Sequence, residues 1–379
     1  METNGVLGCV NISKETRDEI AEDFSCQERE PIHIKGKGIM ISYLVTGPKH
    51  TLGGSPPLPE TAISSASGDS PALGFPLVDA LSLTRGDLVP GIVSLMVAAG
   101  ALDALKIDTC LLERFARHVD AQHDDRVPYH NMCHVYNVVQ MLCVFLGWPE
   151  VRAKLEPLEV AAVLIAGLCH DLGHVGLTND FLKEIQAPAA KRFPTSTNER
   201  LHFQNLETLL SASETDILSE LSESDRARLL DTVAECIGAT DMARHGTLLQ
   251  KWRRWAEMGV DWRDRSNRNF LASLLMKCAD IGNEARGPQA AQFWVARLYA
   301  EFRNQIDIER ALGMKESPSA KLVEADLYQS QLYWCEKVTI PLFKLLAALA
   351  PCTGIDSLLD NLDETRKFWK LQASRRKVF

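Results

Sequence analysis

The sequence predicts an all-α fold of many packed helices, preceded by a short β-hairpin and a linker. Three observations carry this. Across residues 75–379 apolar side chains recur at i, i+3 and i+4, as in "LLERFARHVDAQ", "HVYNVVQMLCVFL", "VAAVLIAGLCHDLGH" and "FLASLLMKCADIGN". The period-two alternation of strands is rare there, and no internal repeat occurs. Only "IHIKGKGIMISYLV", Ile32 to Val45, sets apolar residues around a Gly-Lys-Gly turn, which reads as a hairpin.

Three zones follow along the chain: a β-bearing segment at 1–46, a linker at 47–74, and the helical domain at 75–379. The linker is "GPKHTLGGSPPLPETAISSASGDSPALG", where Pro, Gly and Ser dominate and apolar spacing vanishes, so it is expected to be disordered. Within the helical domain, Pro157 and the acidic run Glu223 to Asp225 read as helix starts or breaks. The charges from Arg253 to Arg268 read as a solvated face.

The chain has 379 residues, 46% of them hydrophobic, enough for a sizeable core. Its net charge of −9 gives no support to nucleic-acid or anionic-membrane binding, which need basic patches. Ten cysteines are scattered without a Cys-x-x-Cys pair, which reads as reduced thiols in the cytoplasm. The first residues lack a basic stretch followed by an apolar one, so no signal peptide is evident. No uncharged apolar run reaches the ~18 residues of a membrane span.

Chemistry concentrates in two His-x-x-x-His pairs, His130 with His134 and His170 with His174. Residues four apart on a helix share a face, so each pair can aim two imidazoles at one volume. Asp171 stands beside His170 at the end of a very apolar run, where an ionised carboxylate needs a cation. Asp280 ends another apolar helix. His134, His170, Asp171 and Asp280 together make a nitrogen and oxygen donor set suited to zinc, manganese or iron. A carboxylate facing outward could recruit a second, harder ion such as magnesium.

These residues resemble those of a known family. "YHNMCHVYNVVQ" (Tyr129 to Gln140) and "HDLGHVGLTNDFL" (His170 to Leu182) resemble the two histidine signatures of class I cyclic-nucleotide phosphodiesterases. Glu199 and His202 in "NERLHFQNLETLL", then "ATDM", "KCADIGN", "EFRNQIDIE", "GMKESP" and "SQLYW", follow in the family's order. The resemblance covers about Thr84 to Trp369. It implies an HD-type phosphohydrolase fold that opens a 3′,5′-cyclic nucleotide, cAMP more readily than cGMP, to the 5′-monophosphate.

The implied roles are specific. His134, His170, Asp171 and Asp280 match ligands of a tight zinc site, with Asp171 also reaching a second ion, Mg or Mn. A hydroxide bridging the two ions would attack phosphorus. His130 matches the general acid for O3′, Glu199 the acid that supports His130 and the second ion's waters, and His174 a histidine near the phosphate. Gln331 matches the amide that reads the purine, Trp334 and Leu298 the jaws around the base, and Asn283 and Tyr129 nucleotide-proximal residues. Asn137 stands where the family usually has Asp, Val135 for Ala, Val175 for Pro and Ile306 for Gly. The Asn137 change is expected to weaken activity or alter metal preference through the ligands' surroundings.

Residues 1–46 resemble something else. "VNISKETRDEI" and "KGKGIMISY" are similar to the last strands of a class III nucleotide cyclase domain. That implies a catalytically silent C-terminal piece whose strands lack their sheet partners, with an upstream cyclase in a longer parent that could be membrane-associated. Two other readings of the chain stand beside the main one: a non-catalytic cyclic-nucleotide sensor, and another HD-type phosphohydrolase.

Overall fold

The computed structural model describes residues 10–20, 24–29, 31–34, 38–41, 43–48 and 77–376. The chain divides into two compact units, Met1–Ala66 and Ser67–Phe379. In the first, β1 (Val10–Ile12) and α1 (Lys14–Ile20) precede β2 (Phe24–Glu28), β3 (Ile32–Ile34), β4 (Gly38–Met40) and β5 (Tyr43–Pro48). β3 and β4 pair antiparallel, Ile32 opposite Met40, as the hairpin pattern predicted; residues 35–37 of its turn lie outside the described residues.

β5 corrects two expectations. It runs to Pro48, past the expected boundary at 46, and it does not lack partners, because β1 and β2 flank it on both sides. Antiparallel partners close in sequence satisfy its backbone groups locally. The linker expected at 47–74 otherwise lies outside the described residues, as do residues 49–76 generally.

The second unit is helical. In order come α2 (Arg85–Ala98), α3 (Ala101–Leu105), α4 (Thr109–Asp120), α5 (Met132–Gly147), α6 (Pro149–Arg152) and α7 (Pro157–Cys169). Then follow α8 (Asn179–Glu184), α9 (Pro188–Arg192), α10 (Thr197–Leu210), α11 (Glu223–Thr240), α12 (His245–Glu257) and α13 (Arg265–Asp280). The last are α14 (Pro288–Ala311), α15 (Pro318–Glu324), α16 (Leu327–Trp334), α17 (Ile340–Leu349) and α18 (Thr353–Arg376). Pro157 and Glu223 open α7 and α11 as their residue types predict, and the Ser222 side chain accepts from Asp225 N–H.

α7 is the axis of the core. It packs on α5, α11 and α13, and every residue from Glu159 to Cys169 is buried. Val160, Val163, Leu164, Ile165 and Leu168 are wholly inaccessible. Each contributes about 1.5–3 kcal/mol by leaving water. Gly167 brings α7 onto α5: a Cβ there would lie 2.4 Å from Leu142 Cδ1.

The charged run near Arg268 departs from expectation. Arg253, Arg254 and Arg263 are exposed, but Arg268 is buried, its Nε 2.8 Å from Glu159 Oε1 and its Nη1 donating to Trp262 O and Arg263 O. Glu159 is buried on α7, so the guanidinium supplies its counter-charge. Between α16 and α17 the chain makes a π-turn at Cys335–Thr339, just before Pro341 removes a backbone donor. No helix among the described residues is long and apolar enough to cross a membrane.

Candidate active site and metal centre

The histidine pairs do not share helical faces. α5 starts at Met132 behind an Asn131 cap, so His130 precedes the helix. α7 ends at Cys169, so His170 caps it and His174 lies beyond a turn. Gly173, at φ +79°, makes that turn. The fold therefore re-pairs the rings: His134 meets His170, and His130 meets His174.

His134, His170, Asp171 and Asp280 converge at the ends of α5, α7 and α13. His134 Nε2 and His170 Nε2 are 3.2 Å apart. Asp280 Oδ1 is 3.2 Å from the first and 3.7 Å from the second. Asp171 Oδ2 lies 3.5 Å and 3.1 Å from the same nitrogens. His170 Nδ1 donates to Gly167 O at 2.9 Å, so its Nε2 presents a lone pair when neutral. Two lone-pair nitrogens and two carboxylate oxygens facing one point repel unless a cation lies between them. Asp171 Oδ2 is buried without a hydrogen-bond partner, the mark of an oxygen awaiting a ligand. The donor set thus fits a divalent ion of the zinc type. Burial opposes charge on His170, but Asp171 and Asp280 outweigh it and raise its pKa to about 9. Burial wins at His134, whose pKa is lowered.

A second group stands above the first. His130 Nδ1 bonds Glu301 Oε1, and Glu301 Oε2 accepts the N–H groups of Tyr129 and His130 at 3.0 and 3.1 Å. Burial disfavours charge on His130, yet Glu301 and Asp171 raise its pKa to about 9. Burial pushes Glu301 the other way, but His130 brings it down to about 2. The two form an imidazolium–carboxylate pair at neutral pH. His174 stacks on His130 with centroids 4.0 Å apart. Its Nδ1 accepts Gly176 N–H at 3.0 Å, so the neutral ring carries its proton on Nε2. Burial and the His130 charge lower its pKa to about 3.

Glu199, expected to support His130, does not. It accepts from Asn179 Nδ2 at 3.0 Å, and burial raises its pKa. The carboxylate on His130 is Glu301, on α14, which sequence reasoning passed over. Its signal was present: Glu301 follows Trp294 by seven and Leu298 by three, a carboxylate on an otherwise apolar stripe. Glu284 was also missed; it is buried in the cavity wall, and burial raises its pKa to about 7.

One cavity of about 1670 Å³ joins these groups to the expected base-binding residues. Its wall includes Tyr129, Asn283, Leu298, Gln331 and Trp334 as well as His130, His174, Asp171, Glu199 and Asp280. His134 and His170 lie beneath it, inaccessible. Asn283 Nδ2 donates to Tyr129 Oη at 3.0 Å, and Asn137 Nδ2 approaches Asn283 Oδ1 at 3.5 Å. Asn137, expected to act on the metal ligands, instead approaches Asn283, one of the expected nucleotide-proximal residues.

Comparison with known proteins agrees with this geometry. The sequence profile described as 3'5'-cyclic nucleotide phosphodiesterase matches residues 129–362. The rat protein named 3',5'-cyclic-AMP phosphodiesterase 4C is 30% identical over 277 residues, 71% of this chain and 52% of the relative. The Drosophila melanogaster protein named high affinity cGMP-specific 3',5'-cyclic phosphodiesterase 9A is 29% identical over 281 residues, 74% of this chain and 18% of the relative. The chain thus spans about half or less of these relatives' lengths. The crystal structure of the phosphodiesterase domain of the RhoPDE fusion protein from Salpingoeca rosetta superposes with TM-score 0.76 at 26% identity, covering 81% of this chain and 98% of that one. The signatures, the profile match and the superposed phosphodiesterase domain converge, and the chain belongs to the 3′,5′-cyclic nucleotide phosphodiesterase family.

Proposed function

We propose that this chain hydrolyses a 3′,5′-cyclic purine nucleotide to the 5′-monophosphate, with cAMP preferred over cGMP. The observation that carries the reading is the position of the His130–Glu301 pair, on the wall of the same cavity as Asp171 and Asp280. Water adds to phosphorus and gives up one proton, the P–O3′ bond breaks, and O3′ takes a proton from His130, which the proton released by the water makes good over the cycle. Because Nδ1 is held by Glu301, the proton given is the one on Nε2. His174 Nε2–H is an added donor for a phosphate oxygen. His134, His170, Asp171 and Asp280 would hold zinc, and Asp171 with Glu199 would face a second ion, Mg or Mn. Such ions, when bound, polarise the phosphate and lower the pKa of water beside it.

On the base side, Gln331 would bond the purine edge between Trp334 and Leu298. Asn283 Oδ1 has its contact with Asn137 at 3.5 Å, the outer limit of a hydrogen bond, so it keeps acceptor capacity. An exocyclic amine, which adenine carries at C6 and guanine does not, would use it. Hydrolysis of cAMP against cGMP, with zinc, magnesium and manganese varied, tests the reading. Equal or greater turnover of cGMP overturns the base preference, and retained turnover in Asp171→Ala overturns the site.

The same reading extends to the rest of the chain. We infer that residues 1–46 are the closing piece of a nucleotide cyclase domain, supported by the β3–β4 pairing around Lys-Gly-Lys-Gly. We infer cytoplasmic residence from the scatter of the ten cysteines along the sequence without a Cys-x-x-Cys pair.

A further inference from the structure

Lys277 is a buried cation that the mechanism above does not use. It lies on α13 one turn before Asp280 and has no accessible surface. Burial disfavours its charge, lowering its pKa to about 8, so an apolar residue would pack there at less cost. Its ammonium donates to Thr240 O at 2.6 Å and contacts Met242 Sδ at 3.1 Å. Thr240 is the last residue of α11, where a carbonyl has no partner along the helix and a cation is favoured.

The contact continues around the cavity. Past Thr240 the chain reverses at Asp241, which is buried and accepts Ser196 O–H at 2.6 Å and Ala243 N–H at 2.8 Å. Ser196, in the left-handed region at φ +48°, precedes α10, whose first turn carries Glu199. Ser196, Glu199, Thr240, Asp241 and Asp280 all line the cavity. A continuous path thus runs from Asp280 through Lys277, Thr240, Asp241 and Ser196 to Glu199.

We propose that Lys277 is a positioning residue that sets the separation of Asp241 and Glu199 from Asp280, and through it the affinity for the second divalent cation. This rests on the metal-dependent reading of the site. Charge alone predicts the opposite sign: Asp280, Asp241 and Glu199 all act on the ammonium, so deleting it would tighten cation binding.

The test is calorimetric binding of Mn²⁺ to the zinc-loaded full chain, with zinc content and melting temperature measured alongside. Lys277→Met is expected to weaken Mn²⁺ binding about tenfold or more, the range for groups that hold ligands in place. Zinc content should not change, and Lys277→Arg, which keeps a donor for Thr240 O, should recover much of the loss. Ser196→Ala breaks the same path without touching a buried charge and is expected to weaken Mn²⁺ in the same direction. It serves where Lys277→Met does not melt cooperatively. Unchanged or tighter Mn²⁺ binding in these variants overturns the proposal. Wild-type protein that takes up no Mn²⁺ overturns the metal-dependent reading instead.

Discussion

His130 and His174 lie ring on ring, 4.0 Å between centroids and 29° between planes. Two imidazoles this close cannot both be charged, and Glu301 decides which one is. The folded pKa of His130 is raised to about 9, so its acid form is present below that value and lost as pH rises through it. Glu301→Gln removes the counter-charge. The alkaline limb of the kcat/KM profile is then expected to move down by at least about one pH unit, with kcat at pH 8 falling roughly 10- to 100-fold. An alkaline limb that stays in place refutes the pairing.

Gly167 permits the approach of α7 to α5. Gly167→Ala places a methyl 2.4 Å from Leu142 Cδ1, closer than atoms pack. The expected cost is about 1–3 kcal/mol of stability from overpacking. Because His170 follows three residues later, zinc affinity should fall with it. Denaturant unfolding and metal content measured on the same variant check both effects.

Asn137 donates toward Asn283, and a carboxylate at that place can only accept. Asn137→Asp is therefore expected to turn the Asn283 amide, bringing its N–H₂ toward residue 137 and its oxygen toward Tyr129 Oη, away from the place where it would accept from the base. The ratio of kcat/KM for cAMP to that for cGMP should change about tenfold, one hydrogen bond's worth. Metal dependence should not change. A shifted metal optimum with a fixed base ratio would restore the expectation drawn from sequence.

Arg268 and Glu159 form a pair with side chains 7% and 3% exposed. Arg268→Ala strands the carboxylate and is expected to cost about 3–5 kcal/mol. Replacing both by methionine should recover most of that, since neither charge is then buried alone. Urea midpoints of the single and double variants decide it.

The all-α class was legible because thirteen residues of α7 and sixteen of α13 carry apolar spacing that only a helix can bury. The donor set was legible because His170, Asp171 and Asp280 end such runs, where charge is costly without a partner. The stacking of His130 on His174 was not. Sequence distance four suggests a shared face, but Asn131 caps α5 after His130, and Gly173 turns the chain before His174. Glu301 was hidden for a related reason: it bonds a histidine 171 positions away, and no local period reports that contact. Arg268 misled because a charge in a charged run gives no sign that its partner sits on a buried helix.

The π-turn at Cys335–Thr339 gives the α16–α17 segment one residue more than an unbroken α-helical frame holds. Removing a residue there would restore that frame and rotate everything before it by about 100° about the axis. Gln331 and Trp334 would swing away from the cavity, while Leu342, Phe343 and Leu346 of α17 kept their places in the core. A single-residue deletion at the π-turn is thus expected to re-aim the cavity wall that carries Gln331 and Trp334.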